Sequence, residues 1–129
     1  MKDETAALMK QAREEVASAR HSVTGGFIRT AVSSAYSAMF HAAEALLVEK
    51  GLQRASHKGV LSTIGLQYVQ AKLLAPEQGR QLRQAFERRL KADYEVRDHI
   101  PEETARETIS WAEAFIAAAE ELLAKAGLP

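Results

Sequence analysis

The chain has no cysteine among its 129 residues. That excludes a disulfide framework, a thiol nucleophile and any cysteine-based zinc site. Proline and glycine are scarce, at three and seven residues, and nearly all stand at the edges of apolar segments. β-branched residues never cluster with the alternation of a strand. An excess of one charge is missing too, because 17 basic and 17 acidic side chains leave a formal net charge of zero. A global basic field for nucleic acid is therefore absent, although a local patch stays open. No apolar run approaches the roughly 20 residues of a membrane span. Charges scattered from Lys2 to Arg20 argue against an N-terminal signal peptide. The four histidines share no i, i+4 spacing and no HExxH pattern, so no metal and no cofactor is expected. Together these absences predict an all-α, cytoplasmic protein with one domain over residues 1–129 and no membrane association.

What is present is helical periodicity. The most apolar stretch runs from Phe27 to Gly51. Phe27, Ala31, Ala35, Ala38, Met39, Ala42, Leu46 and Val48 form one stripe. Ile28, Val32, Tyr36, Phe40, Ala43 and Leu47 form a second beside it. A surface helix needs one apolar stripe, so two predict a helix at the centre of a bundle, covered by its neighbours or by a second subunit. A two-fold homodimer is expected from this, made by Tyr36, Met39 or Phe40 with parts of the fourth helix.

Four further helices are predicted around it in an up-down bundle. The first runs from Asp3, a plausible N-cap, to Val23, with Leu8, Ala12, Val16, Ala19 and Val23 inward. Gly25-Gly26 breaks the chain as a plain turn. The third runs from Ser56, the N-cap, to Leu74, with Val60, Leu61, Ile64, Tyr68 and Leu73 inward. Gly59 and Gly65 weaken it by up to about 1 kcal/mol each relative to alanine. The fourth starts at Pro76 and runs to Val96, with Leu82, Phe86, Leu90 and Tyr94 inward. The fifth starts at Pro101 and ends at Gly127, with Ile109, Ala112, Ile116, Ala119 and Leu123 inward and Trp111–Phe115 as an aromatic pair beside them.

Charge concentrates on the fourth helix. From Arg80 to Lys91 there are five basic residues (Arg80, Arg83, Arg88, Arg89 and Lys91) and one acid, Glu87. This run is either a solvated face or a phosphate-contacting edge. Arg89 and Asp93 stand at i, i+4 and can pair on one face. Tyr94 is expected in the core or at an interface with its hydroxyl bonded. His57 sits at a helix N-terminus as a polar cap, His41 reads as a satisfied core histidine, and His21 and His99 lie near helix ends on the solvent side.

Two segments carry a family resemblance. Tyr36-Ser37-Ala38-Met39-Phe40-His41-Ala42-Ala43-Glu44-Ala45-Leu46-Leu47, closed by Lys50-Gly51, resembles the second helix of small prokaryotic HEPN-domain proteins, which usually carry a second tyrosine where Ser37 stands. Arg89, three residues, then Asp93-Tyr94 resembles that subgroup's Arg-x-x-x-Asp-Tyr motif. Ser56-His57-Lys58-Gly59-Val60 is similar to its entry into the third helix. The resemblance implies a helical bundle that commonly dimerises and is often encoded beside a minimal nucleotidyltransferase, as a toxin–antitoxin-like pair. It implies a site of Arg89, Asp93, Tyr94, Tyr36 and Arg88 for nucleotide or RNA. Many HEPN proteins are metal-independent endoribonucleases that carry an arginine and a histidine with four to six residues between them. After Arg88 and Arg89 those places hold Asp93, Tyr94, Glu95 and Val96. Three readings follow: a nucleotide- or RNA-binding partner of a nucleotidyltransferase, an endoribonuclease, or a structural dimerisation protein without a working site. In the second, Arg89 would stabilise charge on phosphorus, beside Asp93, while Tyr94 or His57 would move protons.

Overall fold

The computed structural model describes residues 1–53 and 55–126. It is an all-α bundle of five helices: α1 (Asp3–Thr24), α2 (Ile28–Glu49), α3 (His57–Ile64), α4 (Pro76–Tyr94) and α5 (Glu102–Ala126). A π-helical turn, Gly65–Val69, continues α3. Among the described residues no helix is long and apolar enough to cross a membrane.

Helix α2 is the axis, and each of the other four packs against it. Twelve of its residues are buried, among them Ala31, Ala35, Ala38, Ala42, Ala43 and Ala45. Methyl-sized side chains let neighbouring backbones come close, which is how so slender a bundle covers a helix with two apolar stripes. Tyr36 and Met39 are fully enclosed by helices of the same chain. They are therefore not on a surface where a second copy could reach them, as the dimer expectation required. Phe40 is partly buried against the core, and Phe27 stands out in solvent.

Local signals set most of the ends. Gly51 takes the left-handed conformation (φ +75°) just past α2. The amides of Gly51 and Leu52 return to the carbonyls of Val48 and Leu47, closing the helix as a glycine C′ residue does. Gly26 (φ +83°) does the same after α1, so Gly25-Gly26 is the turn expected. At the start of α1, Lys2 rather than Asp3 holds the N-cap position, and Asp3 is the first helical residue. Lys2 ties this end to the far end of α2, donating its amide to Glu49 Oε1 at 3.0 Å and its ammonium to the Val48 carbonyl at 3.0 Å. Ser56 caps α3 as expected, its Oγ accepting the Gly59 amide at 3.0 Å.

Inward expectations for Leu73, Leu90 and Tyr94 are corrected. The third helix does not run α-helically to Leu74. It ends at Ile64, the π-helical turn runs only to Val69, and Lys72 takes the left-handed conformation (φ +61°), so Leu73 and Leu74 lie beyond the helix, Leu73 facing out (46% exposed) and Leu74 in (3%). Tyr68, on that turn, faces inward as expected, and its hydroxyl donates to the Leu46 carbonyl at 2.6 Å. Burial pushes the Tyr68 phenol up to about 12. On α4, Leu90 and Tyr94 are exposed, the latter at 78%. A four-residue step overshoots the 3.6-residue turn by about 40°, so the row Leu82–Phe86–Leu90–Tyr94 drifts off the core. The face that meets α2 is instead Leu82, Ala85, Phe86, Arg89, Ala92 and Asp93. The helix also stops at Tyr94, two residues before the expected Val96. On α5 the stripe Ile109, Ala112, Ile116, Ala119 and Leu123 is buried as expected, with Phe115 joining the core. The expected stop at Gly127 lies outside the described residues.

Candidate functional site

Where α2, the start of α3 and the second half of α4 meet, polar groups enter the packed surface. Arg29, Ser33, Tyr36 and Phe40 share one face of α2, at i, i+4, i+7 and i+11. Opposite them α4 presents Phe86, Arg89 and Asp93. His57 arrives from the first turn of α3.

Asp93 divides its carboxylate between two donors. Ser33 Oγ donates to Oδ1 at 2.8 Å, and Arg89 Nε donates to Oδ2 at 3.2 Å. That fixes the Arg89 guanidinium, whose centre stands 5.6 Å from the Tyr36 ring centroid. The Arg89 and Asp93 side chains are 32% and 36% exposed, so their pair is neither buried nor free in water. Tyr36 Oη and His57 Nδ1 share a hydrogen bond of 2.8 Å. The imidazole is held flat by aromatic rings. Its centroid lies 4.2 Å from that of Phe40 and 5.6 Å from that of Phe86, the latter nearly parallel at 12°.

The electrostatics follow from this packing. Burial pushes the Tyr36 phenol far above its ordinary value, and the Arg89 charge pulls it back only in part. Burial lowers the His57 pKa, with the positive charges of Arg89 and His41 adding to the effect. His57 is therefore a neutral imidazole at pH 7. His41 behaves oppositely. Its Nδ1 bonds Glu15 Oε1 at 2.5 Å and its Nε2 lies 3.8 Å from Glu44, and the Glu15 bond raises its pKa first of all. Glu44 is itself raised by burial.

Of the residues singled out from the sequence, Tyr36, His57, Arg89 and Asp93 come together. Two do not. Arg88 turns the other way, donating to Thr108 Oγ1 at 2.9 Å and Glu107 Oε1 at 2.6 Å, with its guanidinium 4.1 Å from the Trp111 ring centroid. It fastens α4 to α5. Tyr94 points into solvent, so the expectation of a buried or bonded tyrosine is corrected. Ser33, Phe40, Phe86 and Arg29 belong to the arrangement and were missed as a group. Arg29 donates to the carbonyls of Ala92 at 2.8 Å and of Glu95 and Val96 at 3.1 Å each, and to that of Asp98, holding the end of α4 against α2. Arginine and serine on the facing row of the most apolar helix were the available signal. Among the described residues no cluster of three or more histidine and carboxylate side chains could hold a metal ion.

Fold and site together define a five-helix bundle with an arginine–aspartate pair and a tyrosine–histidine pair at one helix junction. A HEPN domain is recognised over residues 5–122, and the chain belongs to the HEPN family. It is 35% identical over 116 residues to the protein named "Putative toxin MJ0605" from Methanocaldococcus jannaschii, an overlap of 90% of this chain and 86% of that one. It is 32% identical to a "UPF0332 protein" of Thermotoga maritima over 88% of this chain and 86% of that one. A "UPF0332 protein" of Gloeobacter violaceus is also 32% identical, over 92% and 94%.

Proposed function

We propose that this HEPN protein is the toxin-like member of a toxin–antitoxin-like pair with a minimal nucleotidyltransferase, and that its site binds the phosphate of a nucleotide or RNA. The observation that carries the site is Arg89. Asp93 holds its Nε, and among the described residues Nη1 and Nη2 have no hydrogen-bond partner. A guanidinium so fixed presents two donors in the fork geometry that matches phosphate oxygens. Ser33 and Asp93 orient it. The toxin-like part draws on two relatives carrying toxin names, the second being "Putative toxin MJ0142" of the same archaeon, 28% identical over 104 residues. The nucleotidyltransferase partner rests on the resemblance of the Arg89–Asp93–Tyr94 motif, and a homodimer through exposed parts of α4 belongs to the same reading.

The test is purification from the native host with identification of bound protein and nucleotide, followed by RNA retention with Arg89→Ala. The wild type should retain RNA or nucleotide and the variant should lose it, with Arg83→Ala as the control in the same basic run. Equal retention by wild type and Arg89→Ala would end the proposal.

A second reading, metal-independent RNA cleavage, is favoured by one observation. His57, close enough to feel the Arg89 charge, supplies the imidazole that the sequence spacing after Arg89 lacks. Cleavage of a labelled RNA in the presence of a chelator, lost in His57→Asn, would establish it. Retention without cleavage leaves the binding role, and neither would leave a structural protein.

A further inference from the structure

The hydrogen bond between Tyr36 and His57 has a direction, and the direction assigns a task to the histidine. The Tyr36 side chain is fully enclosed. Its O–H must donate to something, because an unpaired buried hydroxyl is costly. His57 Nδ1, at 2.8 Å, is the one acceptor that the described residues offer it. If Nδ1 carried the proton instead, it would donate to Oη and leave the phenol hydrogen with no acceptor in an apolar pocket. The stable arrangement is therefore Tyr36 O–H donating to Nδ1. In a neutral imidazole the remaining proton then sits on Nε2. Phe40 and Phe86 hold the ring plane, so Nε2–H projects from the edge opposite Tyr36.

We infer that Tyr36 is a positioning residue that fixes His57 as the Nε2–H tautomer, making His57 a hydrogen-bond donor to a phosphate oxygen at the junction where Arg89 leaves two nitrogens free. This rests on the phosphate-binding reading of the site. It narrows that reading, because the junction becomes an anion receptor built of one cation and one neutral donor. His57 in this form does not accept a proton at Nε2. It binds negative oxygen without adding charge. It also gives Tyr36 a purpose that its burial would otherwise conceal, since the phenol acts on the ligand only through the imidazole.

The experiment is nitrogen NMR of the histidine side chains on the ¹⁵N-labelled full chain at neutral pH. The His57 signals are assigned by their loss in His57→Asn. The wild type should show Nε2 protonated and Nδ1 bare. Inorganic phosphate and AMP should both move the Nε2 signal, and adenosine should not. Tyr36→Phe keeps the ring and its packing. It should abolish the bias between the two tautomers and weaken AMP binding by about five- to tenfold, the loss expected for one oriented hydrogen bond. A wild-type spectrum with the proton on Nδ1 overturns the inference, and needs no variant to do so. So does a Nε2 signal indifferent to phosphate, or a Tyr36→Phe protein with unchanged tautomer and affinity. If phosphate and AMP move Nε2 while RNA and the native nucleotide pool are not retained, this inference stands and the wider functional reading fails.

Discussion

The two sides of α2 are built on different rules. Towards α1 and α5 the contact is mainly aliphatic, with Met9, Ile109, Ile116 and Phe115 beside the alanines, valines and leucines, and its polar groups are the buried Thr5 and Thr108 and the part-buried bond between His41 and Glu15. There the exposed ion pairs Arg13–Glu120 (3.6 Å) and Arg20–Glu113 join α1 to α5 across the outside. Towards α3 and α4 the contact is aromatic and polar: Tyr36, Phe40, His57 and Phe86, with Ser33, Arg89 and Asp93 at its edge. The first side chiefly excludes water, with the bond between His41 and Glu15 as its polar tie. The second leaves hydrogen-bonding capacity unspent and depends on a short helix that ends in a π-helical turn. Adjacent arginines show the contrast at the smallest scale. Arg88 spends its guanidinium on Thr108, Glu107 and Trp111, whereas Arg89 spends only Nε.

Substitutions can break or sharpen this division. The largest effect belongs to the scaffold side. Phe115→Ala empties a buried site on α5 and should cost about 3–5 kcal/mol in urea unfolding. A cost below about 1 kcal/mol would mean that α5 is not part of the shared core. Next is Arg88→Ala. Losing the bond to buried Thr108 and the stacking on Trp111 should cost about 1–2 kcal/mol, the ion pair with half-exposed Glu107 adding little. Its ligand binding should stay at the wild-type level. Arg89→Ala should do the reverse. The pair with Asp93 is about one-third exposed, so its loss should cost under about 1 kcal/mol in a thermal melt while phosphate binding disappears. If the two arginines gave the same pair of results, the distinction between tie and site would fail.

The smallest effect is the dependence on pH. The folded-state pKa of His57 is lowered by burial, so protonation opposes folding. Its contribution is complete above the ordinary histidine value and is lost as pH falls through that value towards the folded one, because the unfolded chain then binds more protons. His41, raised by its bond to Glu15, contributes fully below the ordinary value and loses that contribution as pH rises through the folded one. The two partly cancel near neutrality. Removing His41 should leave stability falling more steeply on acidification from pH 7, and removing His57 should make it fall less. Denaturant midpoints at pH 5, 6 and 7 would separate them, and equal slopes in both variants would contradict the opposed shifts.

The site was partly legible beforehand. Tyr36, His57, Arg89 and Asp93 stand out from motif resemblance and from i, i+4 spacing, and they do converge. Ser33 and Arg29 escaped notice because a serine or arginine on an apolar helix has no meaning until the helix opposite is known. Arg88 was placed with the site from the basic run beside Arg89, and Tyr94 from its place in the Arg-x-x-x-Asp-Tyr motif. On a helix, chain neighbours lie about 100° apart, so adjacency is the wrong measure.

Periodicity, glycine, proline and serine by themselves determined an all-α chain, five helices, and most of their starts and stops, because capping and turn formation act over a few residues. They also determined that α2 is central, since only burial on most sides accounts for two apolar stripes. Tertiary structure alone decided that one chain covers that helix. It also decided that the third helix widens at Gly65 and that Leu90 and Tyr94 turn outward. It decided which face of each arginine meets a partner, and that Tyr36 and His57 share a hydrogen bond. These depend on distances between residues 20 to 70 positions apart. Local propensity holds no information about such distances, because they are set by how close the alanine faces of α2 allow the other helices to come.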